Sequence, residues 1–214
     1  MEFFRKNYRK IFLSYPQELK KAVGSSMSVL DVGCGSNSPV KFLTKDIYSV
    51  GVDIFEPSIE ESRSKGIHTE YRKANVLDID KIFKEKSFDC VLASDLIEHL
   101  NKEDGNKLLD KMEKIASKKV IVFTPNGFIK QDSYNGNPWQ VHKSGWAPKE
   151  MKERGFVIVG INGFKPLRGE RSLIKYKPRI FWEAISDLTQ LLYTRKKYEF
   201  AAQILCIKEL KNRE

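Results

Sequence analysis

The chain has 214 residues, 41% hydrophobic and 31% charged, which is room for one domain, or one domain with an elaboration. No apolar run reaches the roughly 18 residues that suggest a membrane span. The start, Met1-Glu2-Phe3-Phe4-Arg5-Lys6, has neither an apolar leader core nor a small-residue cleavage site, so a cytoplasmic location is expected.

The net charge is +10, carried as +4 in residues 1–27, zero in 28–164 and +6 in 165–214. The excess thus lies in two flanks around a balanced centre. Solvated termini are one reading. Attraction to an anionic partner (nucleic acid, a phospholipid surface or a phosphorylated substrate) is the other. Cys34, Cys90 and Cys206 are widely spaced with no C-x-x-C, and His68, His99 and His142 lack metal-ligand spacing. Neither a disulfide framework nor a metal site is expected.

In chain order, residues 2–23 mix aromatics with Lys and Arg and suit one or two short helices. An apolar strand at 28–32 runs into glycine. Pro39 opens a short helix to 43. Residues 47–53 form a second strand, 57–65 a helix stopped by Gly66, and 69–72 a third strand. Residues 88–93 make a fourth strand. Asn101 is an N-cap candidate for a helix whose Leu108, Leu109, Met112, Ile115 and Ala116 form a core stripe. Residues 119–123 are a fifth strand stopped by Pro125, 148–154 a helix ended by Gly155, 156–162 a sixth strand and 201–207 a seventh. Alternating strands and helices indicate an α/β fold, a mostly parallel sheet with helices on both faces. About 40 residues separate the last two strands, too many for a bare loop, so they read as a helical insertion.

The most informative string is Val29-Leu30-Asp31-Val32-Gly33-Cys34-Gly35-Ser36, a strand entering a tight glycine turn. In an open α/β sheet, ligands bind beyond the carboxyl ends of the strands. The third glycine of a nicotinamide-binding loop is replaced by Ser38, and the lysine-bearing phosphate loop is absent. A carboxylate at the strand end repels a pyrophosphate and suits a cationic ligand. Asp53 ends the second strand about 20 residues later, where an acid accepts from ribose hydroxyls. The sequence therefore asks for a ribose-bearing ligand with a positive centre.

This set resembles the class I S-adenosylmethionine-dependent methyltransferases. The D-x-G-x-G turn, the acid ending strand two, Phe88–Ala93 followed by Leu96-Ile97-Glu98-His99-Leu100, Thr124-Pro125-Asn126 and Gly155-Phe156 occur in that family's order. The resemblance covers roughly 28–164 and the last strand, and implies a Rossmann-like seven-stranded sheet and S-adenosylmethionine as cofactor. By position, it implies that Gly33, Cys34 and Gly35 line the methionine part and that Asp31 supports the amino group, partly through water. Asp53 would hold the ribose and Ile54 lie beside the adenine. Asn75 and Val76 would meet the adenine edge, and Ala93 and Ser94 reach the cofactor from strand four.

A general base matters only for a poorly ionised acceptor. His142, in Gln140-Val141-His142-Lys143-Ser144-Gly145-Trp146, is the first candidate and His99 the second. Glu98 and His99 also suit a helix start. Tyr134, Trp139 and Trp146 either shape the acceptor pocket or pack their loop. In the insertion, positions 181, 184, 185, 188, 191 and 192 share an apolar helical face, flanked by basic clusters. A lid over the cleft, a membrane-surface contact, a nucleic-acid groove and a dimer contact compete for it.

The expected organisation is an N-terminal helical flank (1–27), a methyltransferase core (28–164), an insertion or lid (165–198) and a last strand with a basic tail (199–214). The expected activity is methyl transfer to a small, sugar- or lipid-linked acceptor. The alternatives are an RNA methyltransferase and an inactive cofactor-binding partner subunit.

Overall fold

The computed structural model describes residues 15–133 and 136–210. The sequence expectations for residues 1–14, Tyr134 and residues 211–214 lie outside the described residues.

The elements, in order, are α1 (Tyr15–Val23), β1 (Ser28–Val32), β2 (Tyr48–Asp53), α2 (Glu56–Ser64), β3 (Glu70–Lys73), the single turn α3 (Ile79–Ile82) and β4 (Phe88–Ser94). They continue with α4 (Lys102–Ile115), β5 (Ala116–Pro125), α5 (Pro148–Glu153), β6 (Val157–Phe164), α6 (Arg179–Thr189) and β7 (Ala201–Glu209). One seven-stranded sheet runs β3-β2-β1-β4-β5-β7-β6. β7 is antiparallel to both β5 and β6, and the other pairings are parallel. The strand order reverses beside β1, with Leu30 opposite Val50 on one side and Val91 on the other. That reversal is where an open sheet leaves a crevice at its carboxyl edge.

Alternation along the strands separates two cores. Leu30, Val32, Val91, Val120 and Val122 pack with Leu108, Leu109, Met112 and Ile115 of α4. Val29, Cys90, Leu92, Ile121 and Phe123 pack with Leu19, Ala22 and Val23 of α1 on the opposite face. Asn101 caps α4 as its position suggests, its side chain accepting from the Asp104 amide at 2.8 Å. The segment opened by Pro39 is a 3-10 turn, Pro39–Phe42, capped by Ser38.

The insertion is helical but turned over relative to its sequence pattern. Its polar residues face inward: Ser186, Gln190 and Thr194 are buried, whereas Ile180, Phe181, Leu188, Leu191 and Leu192 are exposed, Leu192 to 73%. The cause is the edge strand. β6 has a free edge whose polar backbone must be satisfied. Asn162 N–H donates to Gln190 Oε1 at 2.6 Å, Phe164 N–H to Thr189 Oγ1 at 3.0 Å, and Ser186 Oγ donates to Asn162 O at 3.0 Å. Gly163, at φ +67°, lets the Ser186 carbonyl sit where a Cβ would be 2.0 Å away. Thus α6 seals the sheet edge and its apolar face looks outward. Among the described residues, no helix is long and apolar enough to cross a membrane.

Candidate active site

The glycine turn after β1 is tied by hydrogen bonds to the end of β2. Gly33 and Cys34 N–H groups both donate to Val52 O, at 2.8 and 3.0 Å, and Gly35 N–H donates to Asp53 Oδ2 at 2.8 Å. Gly33 has φ +70°, and a side chain there would run into Leu96, so glycine is required for conformation and for packing. Gly35 has φ +55°, and an added Cβ would meet nothing within 4 Å. Its face is open, as a ligand cradle requires. Cys34 is buried, with its Sγ 3.0 Å from where a Cβ on Gly51 would stand. It offers the cleft little besides backbone.

The two acids differ. Asp53 Oδ1 accepts from Phe55 N–H at 2.9 Å while Oδ2 holds Gly35, so one carboxylate ties both walls of a cleft of about 420 Å³. Each oxygen retains a second lone pair for a ribose hydroxyl. Burial raises the Asp53 carboxyl from its ordinary value, opposed by those amides. Asp31, in contrast, is 1% exposed and sits behind the turn. Its Oδ2 accepts from Ser38 Oγ at 2.5 Å and lies 2.9 Å from His68 Nε2. Ser38 lines the cleft and Asp31 does not. Asp31 therefore supports the turn through Ser38 and His68, a placement that the strand-end spacing did not reveal. His68 is buried.

Ser94 lines the same cleft and accepts from Tyr15 O–H at 2.8 Å. Ala93 is packed in the core. Asn75 is exposed and caps the short 3-10 turn Val76–Asp78, accepting from Leu77 N–H at 3.0 Å; Val76 joins the core. Ile54 is half-buried. Asp53, Ile54 and the Asn75-Val76 pair do not line the 420 Å³ cleft itself, whose wall at the end of β2 is Phe55; Asp53 stands behind that wall, bonded to Gly35 and Phe55. An acid tying the turn, spare lone pairs on it and the open face at Gly35 together fit an adenosyl ligand.

A second cavity, of about 570 Å³, adjoins the first, and Asp95 and Gln140 line both. Glu98, His99 and His142 line this second cavity. Sequence separation hides their proximity; the loop after β5 creates it. Trp146, buried against Gly105, donates from Nε1 to Ile97 O at 3.2 Å, and Lys143 and Ser144 N–H groups both donate to Glu98 O, at 2.8 and 3.0 Å. Trp146 is thus a structural anchor, and it delivers His142 to His99, ring centroids 4.8 Å apart. The ligand atoms of Glu98, His99 and His142 all lie within 4.8 Å of one another. The histidine spacing in the sequence offered no metal set; among the described residues the fold assembles one group of suitable donors. Trp139 is half exposed and outside the lining of this cavity.

His99 Nδ1 faces Val141 O at 3.2 Å and His142 Nδ1 faces Ile129 O at 2.6 Å. A carbonyl only accepts, so each proton sits on Nδ1 and each Nε2 keeps its lone pair. Burial lowers both rings below ordinary imidazole, His99 to about 4. Asp95, at φ +48°, opens onto the cavities and accepts from Gln203 Nε2 at 3.1 Å; the surrounding protein lifts its carboxyl to about 7. Sequence reasoning missed Asp95, Gln203 and Asn162. The only available signal was the position of Asp95 just past β4.

Residues 30–124 match the family described as a methyltransferase domain. An uncharacterized protein of Methanocaldococcus jannaschii is 26% identical over 89% of this chain and 88% of its own length. A SAM-dependent methyltransferase from Archaeoglobus fulgidus shares the fold, with TM-score 0.59 and 19% identity, covering 97% of this chain and all of that one. The methyltransferase domain of bacterial CtHen1-CN matches with TM-score 0.59 and 16% identity over 92% of this chain and 98% of that one. That domain match spans β1 to β5, so residues 30–124 carry a methyltransferase domain, and the sheet order around the glycine turn is a fold shared with solved SAM-dependent methyltransferases.

Proposed function

We propose that the protein methylates a hydroxyl oxygen of a small polar acceptor seated in the 570 Å³ cavity. The carrying observation is the shared wall: donor cleft and acceptor cavity meet at Asp95 and Gln140, with the free Nε2 of His142 on the acceptor side. When bound, S-adenosylmethionine supplies an electrophilic methyl group, so the protein's tasks are alignment and water exclusion. Asp53 and Gly35 hold the donor end. Gln131 and Gln140, linked at 2.9 Å, and Gln203 offer amide groups to a polyhydroxyl acceptor. A hydroxyl is barely ionised near neutrality and needs a proton acceptor. His142 is neutral there and reaches into the cavity, so it takes that proton as the C–S bond breaks and the C–O bond forms.

A lipid-linked form of the acceptor is supported by one further observation. The outward apolar face of α6 is flanked by Lys175, Lys177 and Arg179 on one side and Arg195, Lys196 and Lys197 on the other. Flotation with anionic and neutral vesicles separates the two forms; equal recovery with both removes the lipid-linked one.

The test of the acceptor class is mass-spectrometric detection of methyl transfer to sugars and polyols, phenols, amines and total RNA. Transfer to hydroxyl compounds alone is expected. Preferential transfer to amines or to RNA overturns the proposal.

A further inference from the structure

We infer that Glu98, His99 and His142 form a binding site for one divalent first-row transition cation, which activates the acceptor in the same cavity. The inference rests on the hydroxyl-acceptor reading for its purpose and on the geometry for its existence.

Three independent features point to a cation. First, the donor atoms are convergent: two imidazole nitrogens and a carboxylate oxygen lie within 4.8 Å of one another. Three ligands at about 2.0–2.2 Å from a common ion stand about 3–4 Å apart, so the widest pair must close by about an ångström, within reach of side-chain rotation. Second, both rings are fixed by Nδ1–H donation to backbone carbonyls, which leaves Nε2 as the nitrogen with a lone pair to offer. This is the outer-shell arrangement that orients metal-binding histidines. Third, Glu98 is 2% exposed, its Oε2 accepts from Thr124 Oγ1 at 3.0 Å, and its Oε1 has no partner. Burying an acid with an unpartnered oxygen is costly. The charged groups around these three are Asp95, Lys143 of the same loop and the paired rings themselves. A dication answers the deficit.

Donor chemistry narrows the ion. Two imidazoles with one carboxylate suit zinc, manganese, iron or cobalt, whereas magnesium prefers oxygen. Three protein ligands leave a position open toward the cavity, as in sites that bind substrate. A hydroxyl oxygen there loses its proton more readily. In the loaded protein the lone pairs of His99 and His142 are committed to the ion, so the ion replaces His142 as the group that promotes loss of the hydroxyl proton, and His142 accepts that proton only in the metal-free protein. The proton then leaves to cavity water as the C–O bond forms and the electron pair of the C–S bond returns to sulfur.

The test titrates Mn²⁺ into untagged, chelator-treated protein, following free Mn²⁺ by electron paramagnetic resonance, with Zn²⁺ as competitor. One displaceable site per chain is expected, weakened at least tenfold in Glu98→Gln and His142→Ala. Circular dichroism and S-adenosylhomocysteine binding check that the variants fold. No stoichiometric site at millimolar Mn²⁺, or equal affinity in both folded variants, overturns the inference. The two readings fail separately. Hydroxyl methylation that is unchanged by chelator and added metal sinks the cation and keeps the acceptor class. A Mn²⁺ site in a protein that methylates only amines keeps the cation and sinks the acceptor class.

Discussion

His68 Nε2 lies 2.9 Å from Asp31 Oδ2, and both side chains are sealed from solvent beneath the glycine turn. The pair, with Ser38, is the support on which the donor cleft rests. Removing one partner strands the other in the interior. His68→Ala should therefore destabilise the protein by about 1–3 kcal/mol in urea denaturation. Affinity for S-adenosylmethionine should fall with it, and His68→Gln should restore part of both. A His68→Ala variant of wild-type stability would show that the pair carries no structural load.

Two glycines with positive φ separate fold from cofactor. At Gly163 an added Cβ would meet the Ser186 carbonyl at 2.0 Å, whereas at Gly35 it would meet nothing. Gly163→Ala should cost about 1–3 kcal/mol through strain and displacement of α6, with cofactor affinity kept. Gly35→Ala should do the reverse: a modest loss of stability, and a clear loss of affinity because the new methyl group projects into the cleft. Thermal unfolding and calorimetry on the pair check both halves.

His142→Ala should keep cofactor binding and lose turnover by roughly 10²–10⁴-fold, the range of a lost proton-transfer group. Since burial lowers the His142 ring below ordinary imidazole, wild-type turnover should persist at pH values where a free histidine is half protonated, then fall on further acidification. Full turnover in the variant would remove His142 from the reaction.

Asp53 carries a different pH signature. Its carboxyl is raised by burial, so protonation begins at a less acidic pH than for an exposed aspartate. The protonated form accepts hydrogen bonds poorly. Cofactor affinity should therefore weaken as pH drops through that raised value, and the dependence should flatten in Asp53→Asn. Calorimetry across a pH series measures both.

The sheet was legible because its signals are local. Buried strands such as 28–32 and 88–93 are mostly apolar, each broken by a single aspartate, and the α4 stripe repeats at helical spacing. The glycine turn and Asp53 were legible because short range determines them. What escaped was long-range. His68 and Asp31 are 37 residues apart, and only the pairing of neighbouring strands brings them together. The Glu98, His99 and His142 group depends on Trp146 anchoring a loop that carries no periodic signal. The orientation of α6 escaped for another reason: the helix obeys the hydrogen-bonding need of the β6 edge over its own apolar stripe.

The most direct measurement is calorimetric titration of S-adenosylmethionine into the wild-type protein and Asp53→Asn. Two charge-assisted bonds to the ribose are each worth about 1.5–3 kcal/mol, so one-to-one binding to the wild type and affinity at least tenfold weaker in the variant are expected. Absence of binding at millimolar ligand, or equal affinity in the two proteins, would contradict a donor cleft organised by the bend after β1 and the acid ending β2.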